Sequence, residues 1–404
     1  MKMSQKKLML LGGLRYLLPV IEAAHKLGCY VITCDYLPDN IAHKYSDEYV
    51  NVSIVDKEAV LSEARKRKID GIMSFAVDPG VVTAAYVADK MGLPMPGPYE
   101  SVCILQNKDR FRKFLADNGF NVPKAKGYAS IEEAMADIAS FAWPVIVKPT
   151  DSAGSKGVTK VNGPEEIEGA LKAAFNHSIS NHIIVEDFIE KKGFQTGSDS
   201  FSVNGILKFF SLDNQYFDDN AANIYTPSAH SWPSSMPLHY QNELRQDVQR
   251  VISILNMRTS IFNIETRIGV DGKPYIMEMA PRAGGNRLSE VIRMATGLDI
   301  ISASIEYAIG NPLPPIYQAP FNGSWLEVIL HSNKPGKFAG VYIDEEIKRH
   351  YLKELEIRVK PGENIGVFKG ANDAIGVAIF QFEEHEKTMQ LMNCIDKWIH
   401  VKVE

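Results

Sequence analysis

Residues 262–279 read FNIETRIGVDGKPYIMEM, from Phe262 to Met279. Two alternating apolar arms flank Asp271-Gly272, a pair that signals a two-residue hairpin turn. With Val270 opposite Lys273, counting outward equally on both arms sets Glu265 directly across from Glu278. Opposed side chains on one face have β-carbons about 4.5–5.5 Å apart, which destabilises like charges that nothing neutralises. A hard divalent cation neutralises them. Magnesium suits best, because it takes one or two carboxylates and fills its shell with phosphate oxygens and water; manganese is the alternative ion. Two competing readings stay open: a bulge that turns one acid away, or neutralisation by Arg267 or Arg282.

Upstream, the apolar run Val145–Val147 ends in Lys148-Pro149 and opens into Asp151-Ser152-Ala153-Gly154-Ser155-Lys156-Gly157-Val158. Glycines let backbone amides close on phosphate oxygens without side-chain clash, and Lys148 adds fixed positive charge. The spacing is not that of the nucleotide P-loop, and a plain surface hairpin is the competing reading. The run Ile183–Val185 leads into Glu186-Asp187-Phe188-Ile189, a strand exit that offers backbone donors and acceptors to an adenine edge, with Phe188 and Ile189 over its face; an ordinary strand end is the alternative. Behind the hairpin stands Arg282, whose planar fork suits carboxylate or phosphoryl oxygens. A structural ion pair explains it equally well.

From Lys7 to Met91, short apolar runs at Leu8–Leu11, Tyr30–Thr33 and Gly71–Phe75 alternate with helical periodicity at Tyr16–Leu27 and Lys57–Lys68, the mark of βαβ units and a parallel sheet. Gly12-Gly13 and Asp35 hint at a dinucleotide site, but the third glycine is missing. Leu93-Pro94-Met95-Pro96-Gly97-Pro98 breaks this unit. Asn107 then caps a helix over Lys108–Asn118 that Gly119 closes. Strand runs dominate from Ala142 and predict a mixed, partly antiparallel architecture; the tail after Pro315 reads as α+β. The expected domains are 1–95, 96–315 with a lid at about 119–190, and 316–404.

The 404 residues suffice for several cores. A net charge of -5 without a long basic run disfavours nucleic-acid binding, and no apolar run reaches membrane-spanning length. Cys29, Cys34, Cys103 and Cys394 form no CxxC pair, which fits a reducing cytoplasm.

Lys108, Lys148, the 152–158 loop, Glu186–Ile189, Glu265 and Glu278, in that order, resemble the ATP-grasp ligases over essentially the whole chain. The resemblance implies α/β and α+β architecture: an open parallel α/β domain, an ATP-grasp domain with a mobile lid, and a small α+β domain. It further implies ATP contacts from Lys108, Lys148, Ser152, Gly154, Ser155, Gly157, Val158, Glu186, Asp187, Phe188 and Ile189, and magnesium on Glu265 and Glu278. Gln195 stands where relatives have a ribose-binding glutamate, with Asp199 as a substitute. Ala280-Pro281-Arg282-Ala283-Gly284-Gly285 looks closer to the L-amino acid ligase branch, in which Arg282 sits by the transferred phosphoryl group and His230 on a substrate loop. The implied reaction joins small-molecule carboxylate and amine substrates through an acyl phosphate, releasing ADP and phosphate, with a homodimer as the expected assembly. The alternatives are a purine-type enzyme activating bicarbonate or formate, and a non-catalytic ATP-binding module.

Overall fold

The computed structural model describes residues 5–151 and 154–404. Four parallel strands open the chain: β1 (Lys7–Leu11), β2 (Tyr30–Asp35), β3 (Glu48–Asn51) and β4 (Gly71–Met73), ordered β3-β2-β1-β4. Strand side chains alternate between faces, and the core divides accordingly. Met9, Leu11, Ile32 and Cys34 pack with the helices Lys57–Arg67 and Asp78–Met91. Leu8, Leu10 and Val31 pack with helix Leu18–Lys26 and with Ile300, Ile301 and Ile305 of helix Ile300–Ala308. One face of this sheet is therefore covered in part by a helix from far along the chain. Gly71 permits that approach, since a β-carbon there would lie 2.3 Å from the Ala308 carbonyl oxygen.

Helices start and stop where the side chains dictate. Asp56 and Asn107 accept from Ala59 N and Arg110 N as N-caps. Gly28 and Gly119 follow their helices at φ +78° and +69°, which glycine adopts without strain. Within the proline seam Met95 is buried, and beyond it an unforeseen helix, Tyr99–Gln106, packs on helix Asp78–Met91.

Beyond residue 119 comes a second sheet of β5 (Ala125–Tyr128), β6 (Val145–Pro149), β7 (Thr159–Val161) and β8 (Ile183–Asp187), ordered β5-β8-β6-β7. Four strands follow: β9 (Thr196–Val203), β10 (Ile206–Phe209), β11 (Asn214–Phe217) and β12 (Pro227–Trp232). After helix Leu238–Ile254 the hairpin β13 (Ser260–Ile268) and β14 (Pro274–Ala280) completes a sheet ordered β10-β9-β13-β14. Every pairing in these two sheets is antiparallel, which corrects the expected mixed arrangement.

The C-terminal strands are β15 (Ser324–Leu330), β16 (Gly336–Ile343), β17 (Leu352–Ile357), β18 (Asn364–Ile365), β19 (Gly376–Phe382) and β20 (Ile399–Val403). They do not close on themselves. A five-stranded sheet runs β11-β12-β15-β19-β17, so two strands from before residue 315 complete it. One face, with Ala229, Leu326, Val328, Ala378 and Phe380, meets Phe338 and Trp398. The other, with Trp232, Trp325, Val377 and Ile379, meets Leu288, Val291 and Ala295 of helix Leu288–Thr296.

Candidate active site

Glu265 and Glu278 are register partners across β13 and β14, as their spacing from the turn predicts. The route is different. Gly269 N donates to Lys273 O, and Ile268 pairs with Pro274, so the turn holds three residues, Val270-Asp271-Gly272, with Gly272 at φ +76°. That corrects the two-residue turn and shifts the ladder by one residue. A bulge then shifts it back, because Thr266 pairs with Ile276 while Glu265 pairs with Glu278. The extra residue, Met277, sits beside Glu278, and both are partly exposed within an otherwise buried strand. The bulge that could have parted the two acids restores their opposition.

Electrostatics bear out the conflict between them. Burial, and then the Glu278 charge, push Glu265 up to about 7. Burial also acts to raise Glu278, but Lys108, followed by Arg282 and Lys148, outweighs it and holds that carboxyl below its ordinary range. Lys108 Nζ stands 3.8 Å from Glu278 Oε2. Lys108 is the first residue of helix Lys108–Asp117, which the Asn107 cap aims at the hairpin.

A second group surrounds Glu186 at the end of β8. Lys148, on neighbouring β6, bonds to Glu186 Oε1, and Arg112 Nε donates to Oε2 at 2.9 Å. Burial disfavours the Glu186 charge, yet the two cations hold it at about 2; burial likewise draws Lys148 down to about 8. Arg112 keeps both terminal nitrogens buried without a hydrogen-bond partner among the described residues. Arg112 is absent from the residues expected at the site. Its signal in the sequence is the four-residue spacing from Lys108, which puts both cations on one helix face.

Other expected residues are already engaged. Arg282 grips Asp78 with Nε and Nη2 at 2.7 and 2.9 Å, and its Nη1 donates to Ala283 O, so the structural ion pair exists. Its charge still reaches Glu278. Gln195 bonds to Gln215 and to Arg267, whose Nη1 also donates to Ile189 O at 2.9 Å. Asp199 is fully buried; Oδ1 accepts from Gly284 N and Asn263 Nδ2, and Oδ2 from Ser289 Oγ. It brackets the 284–289 turn. Asp187 accepts from Ala142 N, and Lys160 Nζ lies 4.1 Å over the Phe188 ring.

The glycine-rich loop joins β6 to β7, with Gly154, Ser155 and Gly157 at φ +67°, +57° and +70°. Ser155 Oγ donates to Tyr225 O, and Val158 N to Ser155 O. Ser152 lies outside the described residues. His230 is buried on β12, and its Nδ1 bonds to Asp213 Oδ2 at 2.5 Å.

The family description "ATP-grasp domain" matches residues 141–290, from the strand that carries Lys148 to the helix just beyond the Glu265/Glu278 hairpin. A formate-dependent phosphoribosylglycinamide formyltransferase from Parasynechococcus marenigrum is 29% identical to it over 369 residues, 90% of this chain and 92% of that one. Its counterpart from Synechococcus sp. is 32% identical over 186 residues, 45% of this chain and 48% of the relative, so that match spans about half the relative's length. Among solved structures, the L-amino acid ligase from Bacillus licheniformis superposes with a TM-score of 0.83 at 19% identity, covering 99% of each chain. Phosphoribosylglycinamide synthetase from Anaerococcus prevotii gives 0.76 at 21% identity, covering 99% of this chain and 100% of that one. The chain thus shares its fold with these two structures, and no helix among its described residues is long and apolar enough to cross a membrane.

Proposed function

We propose that this protein is an ADP-forming carboxylate–amine ligase: ATP phosphorylates a small carboxylate, and an amine displaces phosphate from the acyl phosphate. The observation that carries the reading is the opposed Glu265/Glu278 pair beside Lys108. Two crowded acids, one held up to about 7 by burial and by the other's charge, fit a hard divalent ion that completes its shell with phosphate and water oxygens. Glu265 and Glu278 would hold magnesium or manganese, and the bound ion would supply charge neutralisation at the transferring phosphoryl group.

The chain's own residues do the positioning. Lys108 supplies positive charge at the hairpin, and Lys148 with Arg112 supplies it at the strand exit Glu186–Ile189, where the adenosine end would rest. Glu186 stays ionised and holds both cations in place, so their orientation is set before a nucleotide arrives. Arg282, fixed by Asp78, adds charge beside Glu278 without having to move. The amides of Gly154, Ser155 and Gly157 would close over phosphate oxygens.

Likeness to the L-amino acid ligase fold supports an amino acid as carboxylate. The sequence match to formate-dependent formyltransferases favours a second reading, formate with a ribonucleotide amine. Purified protein with ATP and magnesium should release ADP and phosphate only when the correct carboxylate is present. Separate arms with the twenty L-amino acids, and with formate or bicarbonate plus glycinamide or aminoimidazole ribonucleotide, distinguish the two. Release of AMP and pyrophosphate would refute both.

A further inference from the structure

The row of residues crossing the five-stranded sheet at His230 is polar on four of its five strands. Gln215 on β11, His230 on β12, Glu327 on β15 and Ile379 on β19 are successive register partners, and Glu354 on β17 ends the row. Register partners share a face. This face bears Trp232, Trp325 and Val377 and packs on helix Leu288–Thr296. Within that apolar layer Glu327 is 0% exposed, and neither carboxyl oxygen has a hydrogen-bond partner among the described residues. An unpartnered buried carboxylate costs several kcal/mol in general, and nothing on its own strand offsets that cost.

The surrounding charges do not fill the gap. Arg287, which acts on Glu327 most strongly, is paired with Glu290 and Glu354. Arg358 is paired with Glu356. Asp213, also near, is committed to Gly197 N and His230. Tyr16, from the turn after β1, feels both Arg358 and Glu327, and its ring lies 3.5 Å from where a β-carbon on Gly285 would stand. Segments from all three parts of the chain therefore converge on one vacant carboxylate. The place is also linked to the metal-binding acids: Glu265 pairs with Gly197, Gly197 N donates to Asp213, Asp213 holds His230, and His230 pairs with Glu327. Gly197 is needed in that chain, since a β-carbon there would lie 2.3 Å from Gln215 Nε2.

We infer that Glu327 is the counter-ion for the ammonium group of the amine substrate, in an acceptor pocket walled by His230, Tyr16, Arg287 and Arg358. This rests on the ligase reading and adds to it a class of acceptor: an amine that arrives positively charged. An arriving ammonium supplies the charge-assisted hydrogen bonds that Glu327 lacks, and the proton it must lose before its nitrogen can attack passes to the Glu327 carboxylate.

The test compares wild-type protein with Glu327→Gln and Glu327→Leu. Carboxylate activation is read as hydroxamate formed with hydroxylamine, a nucleophile that is uncharged near neutral pH and needs no counter-ion. Coupling is read by mass spectrometry of the amides formed when the twenty L-amino acids and ammonium chloride are offered as amines. Both variants should keep wild-type hydroxamate formation and unchanged KM for ATP, while KM for the charged amine rises about 10- to 100-fold, the usual worth of a hydrogen bond to a charged group. The melting temperature of Glu327→Leu should equal or exceed wild type, because it removes a buried polar group that has no hydrogen-bond partner among the described residues. An unchanged amine KM in both variants overturns the inference while the ligase reading stands. If wild-type protein forms no hydroxamate from any carboxylate, the ligase reading fails and takes this one with it.

Discussion

Glu265 and Glu278 face each other because two irregularities cancel: a three-residue turn that moves the ladder by one position and a bulge at Met277 that moves it back. Deleting Met277 removes the second without the first. Glu278 then follows Ile276 directly and takes the regular ladder place opposite Glu265, because the residue removed is the unpaired one. Divalent-dependent ADP release should survive the deletion, and its loss would show that the bulge itself, beyond the opposition of the two acids, shapes the site.

Substituting either acid tests the metal site directly. Glu265→Gln relieves a like-charge opposition, so without divalent ions the variant should melt no lower than wild type. Magnesium should raise the melting temperature of wild type and not of the variant, since only a ligand that binds the folded state stabilises it. Activity should fall at least about 10- to 100-fold, the usual loss when a metal site is impaired. A magnesium-induced shift that survives in Glu265→Gln would remove these acids as the metal site.

The same pair sets a pH dependence. Glu265 has an ordinary value of 4.5 and is held at about 7 in the fold by burial and by Glu278. The folded chain therefore binds this proton more tightly than the unfolded chain. The associated stability is fully present below 4.5 and is lost as pH rises through about 7. In EDTA, melting temperatures from about pH 5 to about pH 8 should decline more steeply for wild type than for Glu265→Gln. Buried Glu327, also raised by desolvation, acts in the same direction in both proteins and does not blur the difference. Glu186, held at about 2, acts oppositely and loses its contribution only as pH falls below 4.5.

Arg282 and Asp78 predict a stability effect at the join between the first helix-and-sheet layer and the hairpin. Removing one partner of a fully buried pair costs about 3–5 kcal/mol; Asp78 is 22% exposed and Arg282 9%, so Asp78→Ala should cost somewhat less. Urea unfolding should show the double variant Asp78→Ala/Arg282→Met to be more stable than Asp78→Ala alone, because no lone guanidinium is then left behind. Equal values would mean that the pair contributes no coupling.

Arg112 offers a contrast. Arg112→Met leaves Glu186 with Lys148 as its single strong partner, so Lys148 should be drawn more fully into that pair. KM for ATP should rise several-fold while KM for the carboxylate is unchanged. Arg112→Lys should restore part of the affinity, and an equal change in both constants would assign Arg112 to the fold instead.

Legibility from the sequence follows the range of the interaction. The Asn107 cap, the Gly28 and Gly119 stops and the strand carrying Lys148 are local patterns, and each is where periodicity or capping chemistry puts it, whereas the hairpin acids reach their expected opposition through a turn and a bulge that the pattern does not show. The strands at 214–217 and 227–232 escape a local reading, because what makes them strands includes pairing with β15, about a hundred residues beyond β12. Arg282 and Asp199 show the same limit from the side of chemistry. Residue type announces a charge, but only the fold discloses that Asp78 and the 284–289 turn have already claimed it. Glu327 is visible as an acid inside the apolar run Trp325–Leu330, yet its isolation emerges only once both neighbouring strands are in place.

The five-stranded sheet also decides how this protein can be cut. Ala229, His230, Ser231 and Trp232 of β12 pair with β15, so a chain truncated at residue 315 would expose a bare strand edge bearing Ala229 and Trp232 to solvent. Such an edge recruits other chains, and the truncated product should collect in inclusion bodies. The last ninety or so residues are less an appendage than the far wall of the central domain, and a ribosome must finish them before that domain can settle.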